Sequence, residues 1–480
     1  MHPRRLTALL ALCALATSAF VPASEKTSPH FIAIVGANVV HPGRTLALAT
    51  EKDQTILIEG DRILQVGPSK DVEVPDGATV IDAKDYWVIP GLIDAHVHFF
   101  QSGNLYTRPD AVDLGKWRPY EQEVARNKAR LPETFKVWLA SGVTGVLDIG
   151  GPFWNFDVRA AARASPAAPR VAVAGPLISM IDRPQLDLGD PPIIRIDSPE
   201  AARQLVTREL ERKPDYVKVW FIHRPGDDLE KQSKIVKATA DAAHAAGVPL
   251  AVHATELLVA KEALRAGADL LVHSVFDEVI DEEFIELMRE RGTLYCPTLF
   301  VTNGYRYAFA NIWEATEEEQ RLADPQILRS MHDLEKIPEE MLPQGVRALM
   351  KAGTPPELPA VAMANLRMVW AADIPVVMGT DAGNIGTLHG PSVFREMAYM
   401  QQAGLTPLEV LRTATTQGAR ALRMEKDLGD IEPGRLADLV ILKADPLADV
   451  KNLATAHRVI KDGVVYDPEE LMKSVAGETP

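Results

Sequence analysis

The sequence predicts an α/β protein: a (β/α)₈ TIM barrel with a small β-sandwich domain formed by both termini. Short apolar runs alternate with alanine-rich helical stretches between residues 91 and 427. Strand-like segments with turn residues flank this region, at residues 30–90 and 428–470. An open doubly wound sheet is the alternative, but no Gly-x-Gly-x-x-Gly turn opens any of the units.

Eight segments are the candidate barrel strands. Strands that are buried on both faces read as continuous apolar runs, and their alternation with helices predicts a parallel sheet. The eight segments lie near residues 92–99, 143–148, 170–174, 215–221, 248–253, 269–274, 293–298 and 375–381.

The two flanking β segments are predicted to form one domain. Neither segment is long enough to be stable by itself, so we pair them. The Glu59-Gly60-Asp61 step predicts a hairpin turn within the first segment.

The stretch from residue 302 to residue 373 is too long for a bare loop. Its charge-rich periodic segments, at 314–322 and 331–334, predict a helical insertion over the mouth of the barrel. The insertion could be a lid or a contact in a homo-oligomer, and the sequence leaves both open.

Residues 1–23 predict a secretory signal peptide and therefore a secreted or periplasmic protein. Arg4 and Arg5 precede an apolar run at 6–16, and small residues follow at 17–19 and 21–23. The run is too short for a membrane span, although an uncleaved anchor is the alternative. No later stretch is apolar enough to cross a bilayer.

Composition and charge argue against nucleic acid and anionic membranes as partners, and the expected partner is a small-molecule substrate. The chain is 46% hydrophobic and 24% charged, as in ordinary globular proteins, and its net charge is −15. Such an acidic chain is a poor partner for nucleic acid or anionic membranes. Cys296 is the only cysteine after the signal peptide, so no internal disulfide is expected.

A histidine pair ends the first predicted barrel strand. His96 and His98 stand two residues apart, so their side chains lie on one face of the strand and can bind a single metal ion. Active-site groups of a barrel sit at the carboxyl ends of its strands. Further candidate ligands follow there: Lys218, His253, His273 and Asp381.

Each of these later residues also has a structural interpretation. His253 and His273 could be hydrogen-bonded core histidines, and Asp381 could cap the next helix. Lys218 lies within Tyr216-Val-Lys-Val-Trp-Phe, where a buried lysine without a partner would be costly. A salt bridge is one way to stabilise the buried lysine. The other is carbamylation by CO₂, which would give an anionic bridge between two metal ions.

The chain resembles the amidohydrolase superfamily, and within it the imidazolonepropionase-like group with prolidase-type dipeptidases. The resemblance runs from about residue 34 to residue 467. The motifs that carry it are Val88-Ile-Pro-Gly-Leu-Ile-Asp-Ala-His-Val-His, Val252-His-Ala, Ala266-Gly-Ala-Asp-Leu-Leu-Val-His, Met378-Gly-Thr-Asp-Ala-Gly and Gly429-Asp-Ile-Glu-Pro-Gly-Arg-Leu-Ala-Asp-Leu-Val.

The resemblance implies two divalent metal ions. His96, His98 and Asp381 would bind the more buried ion, His253 and His273 the second, and carbamylated Lys218 would bridge them. These ligands suit Zn²⁺, with Mn²⁺ or Co²⁺ as alternatives. Two cations that share a water lower its pKa, and Asp381 would serve as general base and then general acid.

The resemblance leaves substrate specificity open. The loop at 175–185 lacks the Gly-Gly-His stretch of prolidase-like members, and residues 220–228 replace their glycine-rich turn. Arg183 and Arg224 are candidate carboxylate ligands, although either could be a solvated surface arginine. His223 and His389 are the other candidate substrate contacts.

We therefore expect an exported binuclear hydrolase that cleaves the C–N bond of a dipeptide, Xaa-Pro-like, or of an N-acyl amino acid. A lactonase or a hydrolase of cyclic or aryl amides is the alternative on the same metal site. A mononuclear deaminase would leave the lysine bridge without a purpose. A silent binding protein would be expected to lose metal ligands, and all six are present.

Overall fold

The computed structural model describes residues 30–477 of the chain. The predicted signal peptide, residues 1–23, lies outside the described residues. Within the described part, none of the helices is long and apolar enough to cross a membrane.

Strands dominate both ends of the described chain and alternate with helices between them. In chain order they are β1 (Phe31–Val40), β2 (Thr50–Glu59), β3 (Arg62–Pro68), β4 (Thr79–Asp82), β5 (Trp87–Pro90), β6 (Leu92–Val97), β7 (Val143–Asp148), β8 (Arg170–Val173), β9 (Leu177–Ser179), β10 (Ile193–Arg195), β11 (Val217–Trp220), β12 (Leu250–His253), β13 (Leu270–Val272), β14 (Leu294–Cys296), β15 (Leu439–Leu442), β16 (Ala456–Lys461) and β17 (Val464–Tyr466).

The helices lie mainly between the strands of the central region. They are α1 (Tyr120–Ala129), α2 (Leu131–Ala140), α3 (Asn155–Ala164), α4 (Pro199–Leu210), α5 (Leu229–Ala245), α6 (Leu257–Ala266), α7 (Glu282–Arg291), α8 (Val301–Phe309), α9 (Glu317–Leu322), α10 (Pro325–Ser330), α11 (Gln344–Ala352), α12 (Ala360–Ala371), α13 (Ser392–Gln402), α14 (Pro407–Thr413), α15 (Thr416–Ala421) and α16 (Pro468–Gly477).

Two parallel sheets contain seven of the eight predicted barrel strands. One sheet has the order β6-β7-β8, and the other has the order β10-β9-β11-β12-β13-β14. An isolated parallel bridge between Ala174 and Tyr216 connects β8 to the start of β11. Because the strands are parallel, their carboxyl ends lie at one edge, where the predicted ligands are found.

The eighth predicted segment, 375–381, is not a regular strand, but its backbone bonds to both sheets. The Val377 amide donates to the Tyr295 carbonyl of β14 at 2.9 Å, and the Ala95 amide of β6 donates to the Met378 carbonyl at 2.9 Å. A Cβ at Gly379 would lie 2.5 Å from Cys296 Sγ, so glycine permits this close approach.

Strands from both ends of the described chain build one mixed sheet, so the pairing of the two flanking segments is confirmed. Its order is β17-β16-β15-β5-β1-β2-β3, with β4 beside β1. The C-terminal strand β15 pairs antiparallel with the N-terminal strand β5 through Val440 and Ile89. The expected hairpin joins β2 to β3, where Glu59 pairs with Arg62. Isoleucines from both ends, including Ile34 and Ile460, share one buried cluster.

Five helices, α8–α12, lie between β14 and the eighth segment. Apolar side chains of this stretch, such as Trp313 and Met331, form a buried cluster with Leu105 and Leu114 from the loop after β6. The insertion is thereby held beside the carboxyl end of β6, close to the histidine pair.

An ion pair joins the parallel sheets to the terminal β domain. Arg170 of β8 donates to both carboxylate oxygens of the buried Asp438, at 3.1 and 3.2 Å. Replacement Arg170→Met leaves that carboxylate buried without its guanidinium, so we expect the free energy of unfolding to fall by about 2–3 kcal/mol. Urea titration measures the change.

The control for this variant is Arg203→Met. Arg203 and Glu200 form an ion pair in which both side chains are more than half exposed. This change should move the free energy of unfolding by less than about 0.5 kcal/mol. Equal losses in the two variants would contradict the assigned role of Arg170.

Candidate metal centre

The histidine pair after β6 faces the carboxylate of Asp381. His96 Nε2 lies 3.3 Å and His98 Nε2 lies 3.0 Å from Asp381 Oδ1. His98 Nδ1 is 2.6 Å from the carbonyl oxygen of Gly150, and because a carbonyl only accepts, Nδ1 carries the proton. His98 Nε2 therefore faces a carboxylate oxygen from the other side of the ring, an arrangement that a cation between them would stabilise.

A second pair of imidazoles comes from the neighbouring strands. His253 ends β12, His273 follows β13, and their ring centroids are 4.5 Å apart. The His273 ring also lies 4.8 Å from the His96 ring, and its Nδ1 is 2.6 Å from Thr298 Oγ1. All four histidines therefore converge on one small volume.

Lys218 enters the same volume from β11. Its side chain is 1% exposed, and Nζ has no hydrogen-bond partner among residues 30–477. Burial lowers the pKa of this amine to about 7, so much of it is uncharged near neutral pH.

Asp381 lies between the two histidine pairs. Its backbone has a φ of 62°, in the left-handed region that aspartate tolerates better than most residues. Burial raises the pKa of the carboxyl, but the nearby imidazoles of His96 and His98 outweigh burial and hold it well below its usual value. The group is therefore an ionised carboxylate at neutral pH.

The donor set fits divalent metal ions. Ligand atoms of His96, His273 and Asp381 all lie within 4.8 Å of one another. Both ring nitrogens of the buried His96 lack hydrogen-bond partners among the described residues, and burial lowers its pKa to about 4. Neutral imidazole with carboxylate is a ligand combination that Zn²⁺ binds. Metal coordination would satisfy one of the two His96 nitrogens, which the described residues leave unpaired.

A cavity of about 590 Å³ opens above these groups, and all six predicted ligands line it. Its walls are largely apolar, with Trp220 at the end of β11 and Phe276 after β13. The insertion supplies one wall through Arg306 of α8 and Leu358 before α12.

The four predicted substrate contacts lie outside the lining of this cavity. His389 donates from Nε2 to the His98 carbonyl at 3.1 Å and stacks on Phe99, behind the histidine pair. Arg183 lies over the Trp220 ring and 3.4 Å from a carboxylate oxygen of Asp110. The remaining two are His223, bonded to Gln232, and the exposed Arg224.

Sequence reasoning missed several polar residues of the cavity, Asn384 and three others among them. Asn384 lies three positions after Asp381, and this short distance in sequence was the one feature that could have indicated it as a site residue. The other three come from the irregular loop after β6 and from the insertion, where no periodic pattern marks a functional side chain. They are Arg108, Tyr305 and Arg306.

The burial of Lys218 predicts a pH dependence in metal-free protein from which CO₂ is excluded. The unfolded chain binds a proton at Lys218 up to about pH 10.5, whereas the folded chain loses it near pH 7. Stability from this group therefore rises between these two pH values and is lost as pH falls through 7. Lys218→Met should remove the rise.

Urea unfolding over that pH range measures this dependence. The exposed Lys231 provides the control, because Lys231→Met should leave the rise in place. Parallel stability curves for wild type and Lys218→Met would contradict the buried, partner-free amine.

Comparisons with known proteins agree with this geometry. The profile of the amidohydrolase family matches residues 87–465. Imidazolonepropionase from Cutibacterium acnes is 25% identical over 402 residues, which cover 82% of this chain and 84% of that enzyme.

Solved structures show the same fold. A Xaa-Pro dipeptidase with bound methionine in its active site is 24% identical, with a TM-score of 0.68 over 91% of this chain and 100% of that one. Molinate hydrolase is 23% identical, with a TM-score of 0.71 over 95% of this chain and 98% of that one. Since the family profile matches most of the chain, this protein belongs to the amidohydrolase family and is a metal-dependent hydrolase that acts on C–N bonds.

Proposed function

We propose that this protein is an exported binuclear amidohydrolase that cleaves the peptide or amide bond of a dipeptide, such as a Xaa-Pro compound, or of an N-acyl amino acid. The observation that carries the proposal is the convergence of six candidate ligands on one cavity, with buried nitrogens that lack hydrogen-bond partners among the described residues. Export rests on the signal-peptide pattern at residues 1–23.

His96, His98 and Asp381 would hold one ion, and His253 and His273 the other. Lys218 would bridge them as a carbamate: its uncharged amine attacks CO₂, a C–N bond forms while one C=O π bond breaks and its electron pair moves onto oxygen, and the nitrogen loses one proton. Burial favours the uncharged amine that this step needs, because it lowers the pKa to about 7. Zn²⁺ is the proposed metal.

Asp381 would move the protons of the reaction. When bound, the two ions would polarise the scissile carbonyl and make a water molecule acidic enough to react near neutral pH. The ionised Asp381 carboxylate would accept the proton of that water and deliver it to the leaving nitrogen. The walls of the cavity would shield this transfer from bulk water.

The proposed fold is a closed (β/α)₈ barrel beside a β-sandwich. Hydrogen bonds from segment 375–381 to both β14 and β6 support closure. The Ile63 amide of β3 donates to the Arg435 carbonyl just before β15, so opposite parts of the terminal sheet approach each other, and this supports the sandwich.

The cavity favours a substrate with an apolar part and a carboxylate. Its apolar walls can pack an acyl group or an apolar side chain, and Arg306 has no ion-pair partner among the described residues. Arg183, in contrast, is already beside Asp110. We therefore place the carboxylate at Arg306, with Arg183 and Arg224 as the alternatives.

A substrate panel tests this assignment. Zinc-loaded protein is assayed with Xaa-Pro and other dipeptides, N-acyl amino acids, matched N-acyl amines without a carboxylate, and lactones. We expect turnover of the carboxylate-bearing amides, and Arg306→Met should raise their KM by roughly 10- to 100-fold, the value of a charge-assisted hydrogen bond.

Two comparisons make the panel decisive. Arg306→Met should leave any turnover of the matched N-acyl amines unchanged, and Arg224→Met should not alter KM for the N-acyl amino acids. A KM effect of Arg224→Met alone would move the anchor to that residue. Turnover confined to lactones or neutral amides would remove the carboxylate anchor and retain only the metal chemistry.

The proposed proton transfer predicts a selective loss in Asp381→Asn. This variant keeps an oxygen near the histidine pair but cannot accept a proton, so turnover should fall by about 10²- to 10⁴-fold while most of the metal remains bound. Steady-state kinetics and metal analysis of the same sample measure both effects. Near-normal turnover would exclude Asp381 from the proton transfer.

A further inference from the structure

We propose that Arg108 and Asn384 are positioning residues that fix the orientation of the Asp381 carboxylate. The effect of these residues on catalysis rests on the proposed function, whereas their effect on metal affinity can be measured without any substrate. Neither residue belongs to the predicted ligand set, and both line the cavity.

Asn384 connects Asp381 to a partly buried pair of charges. Its Nδ2 donates to Asp381 Oδ1 at 2.7 Å, and its Oδ1 accepts from Arg108 Nη1 at 2.6 Å. The hydroxyl of Tyr305 donates to the same amide oxygen at 2.6 Å. Arg108 in turn donates from Nε and Nη2 to the two carboxylate oxygens of Asp110, both at 2.7 Å.

This network permits a single orientation of the Asn384 amide. A guanidinium only donates, so the amide group facing Arg108 must be the oxygen. The amide nitrogen is therefore turned toward Asp381. With Arg108 held by two bonds to Asp110, the orientation of the amide is fixed from outside the metal centre.

The fixed amide distinguishes the two oxygens of Asp381. Oδ1 accepts from Asn384 and faces the His96 and His98 nitrogens, where one metal ion would bind. Oδ2 points toward His273, whose Nε2 is 3.9 Å away. We assign Oδ1 to metal binding and Oδ2 to proton transfer. Loss of the amide would let the carboxylate rotate, so that neither oxygen would be reserved for metal binding or for proton transfer.

The local backbone supports the same arrangement. The Asn384 side chain also donates to the Asp381 carbonyl at 3.1 Å, which closes the turn after the eighth segment. At Gly383, within this turn, a Cβ would lie 2.4 Å from the His98 carbonyl oxygen. The turn therefore packs closely against the histidine pair. A small rotation of Asp381 would change the distances from its carboxylate to both His96 and His98.

The test replaces the amide in two ways. Asn384→Asp keeps the size of the side chain but removes the N–H donor, and Asn384→Ala removes the whole group. Partners that orient a metal ligand are typically worth 10- to 100-fold in affinity or activity, so we expect zinc affinity, kcat or both to fall by roughly that factor in each variant. Chelator competition measures affinity without any substrate.

Asn365 provides a matched control. It is also buried and bonded three times, to the Ile280 amide and to the Val275 and Glu278 carbonyls, but it lies away from the cavity. Asn365→Ala should lower the melting temperature and leave zinc affinity and kcat within about twofold of wild type, since it touches no metal ligand.

Arg108→Lys keeps the positive charge and removes the guanidinium, so it shows which of the two matters. Lysine cannot form two parallel hydrogen bonds to Asp110 and also reach Asn384. We therefore expect this variant to lose zinc affinity or kcat as Asn384→Asp does, and to keep KM within about twofold of wild type. Wild-type zinc affinity and kcat in both Asn384 variants would overturn the proposal. So would an equal loss of affinity in Asn365→Ala. If no amide is hydrolysed by wild type, the affinity result still decides the structural part.

Discussion

The burial of Lys218 is the constraint on which the rest of the site depends. An ammonium ion enclosed in the protein without a hydrogen-bond partner is costly, and its pKa of about 7 is the result. The amine must be neutral, protonated at a cost in stability, or converted to an anion. A carbamate between two cations would give partners to the lysine, to one of the His96 nitrogens that are unpaired among the described residues, and to the facing Asp381 carboxylate. Separate structural explanations of these residues do not account for the Lys218 and His96 nitrogens that lack partners among the described residues.

The fold creates this arrangement because parallel strands end at a common edge. In the pairing of β11 with β12, Trp220 stands opposite His253, so Lys218 lies below the second histidine pair. The eighth segment differs from the other seven because Gly379 lets it press against Cys296 and His96. A regular strand would continue extended through Asp381. The positive φ at that residue instead accompanies a carboxylate that lies between the two histidine pairs.

Much of this could be predicted from the sequence, because apolar strands and their terminal ligands leave local patterns. Seven of the eight segments are strands of the two parallel sheets, and the His-x-His spacing indicated a metal site. The irregularity of the eighth segment arises from a contact distant in sequence, so no local pattern showed it. Arg183 illustrates the same limit: its pairing with Asp110 joins two loops that have no common periodicity. The roles of Arg108 and Asn384 likewise depend on a contact between two loops that are distant in sequence, so the sequence alone did not indicate them.

The most direct test of the binuclear site is ¹³C NMR of zinc-loaded protein prepared in ¹³C-bicarbonate, with zinc counted in the same sample. We expect a carbamate resonance and two zinc ions for each chain, and we expect Lys218→Met to lose the resonance. A fully active enzyme with no carbamate resonance, or a resonance that persists in Lys218→Met, would contradict the lysine bridge.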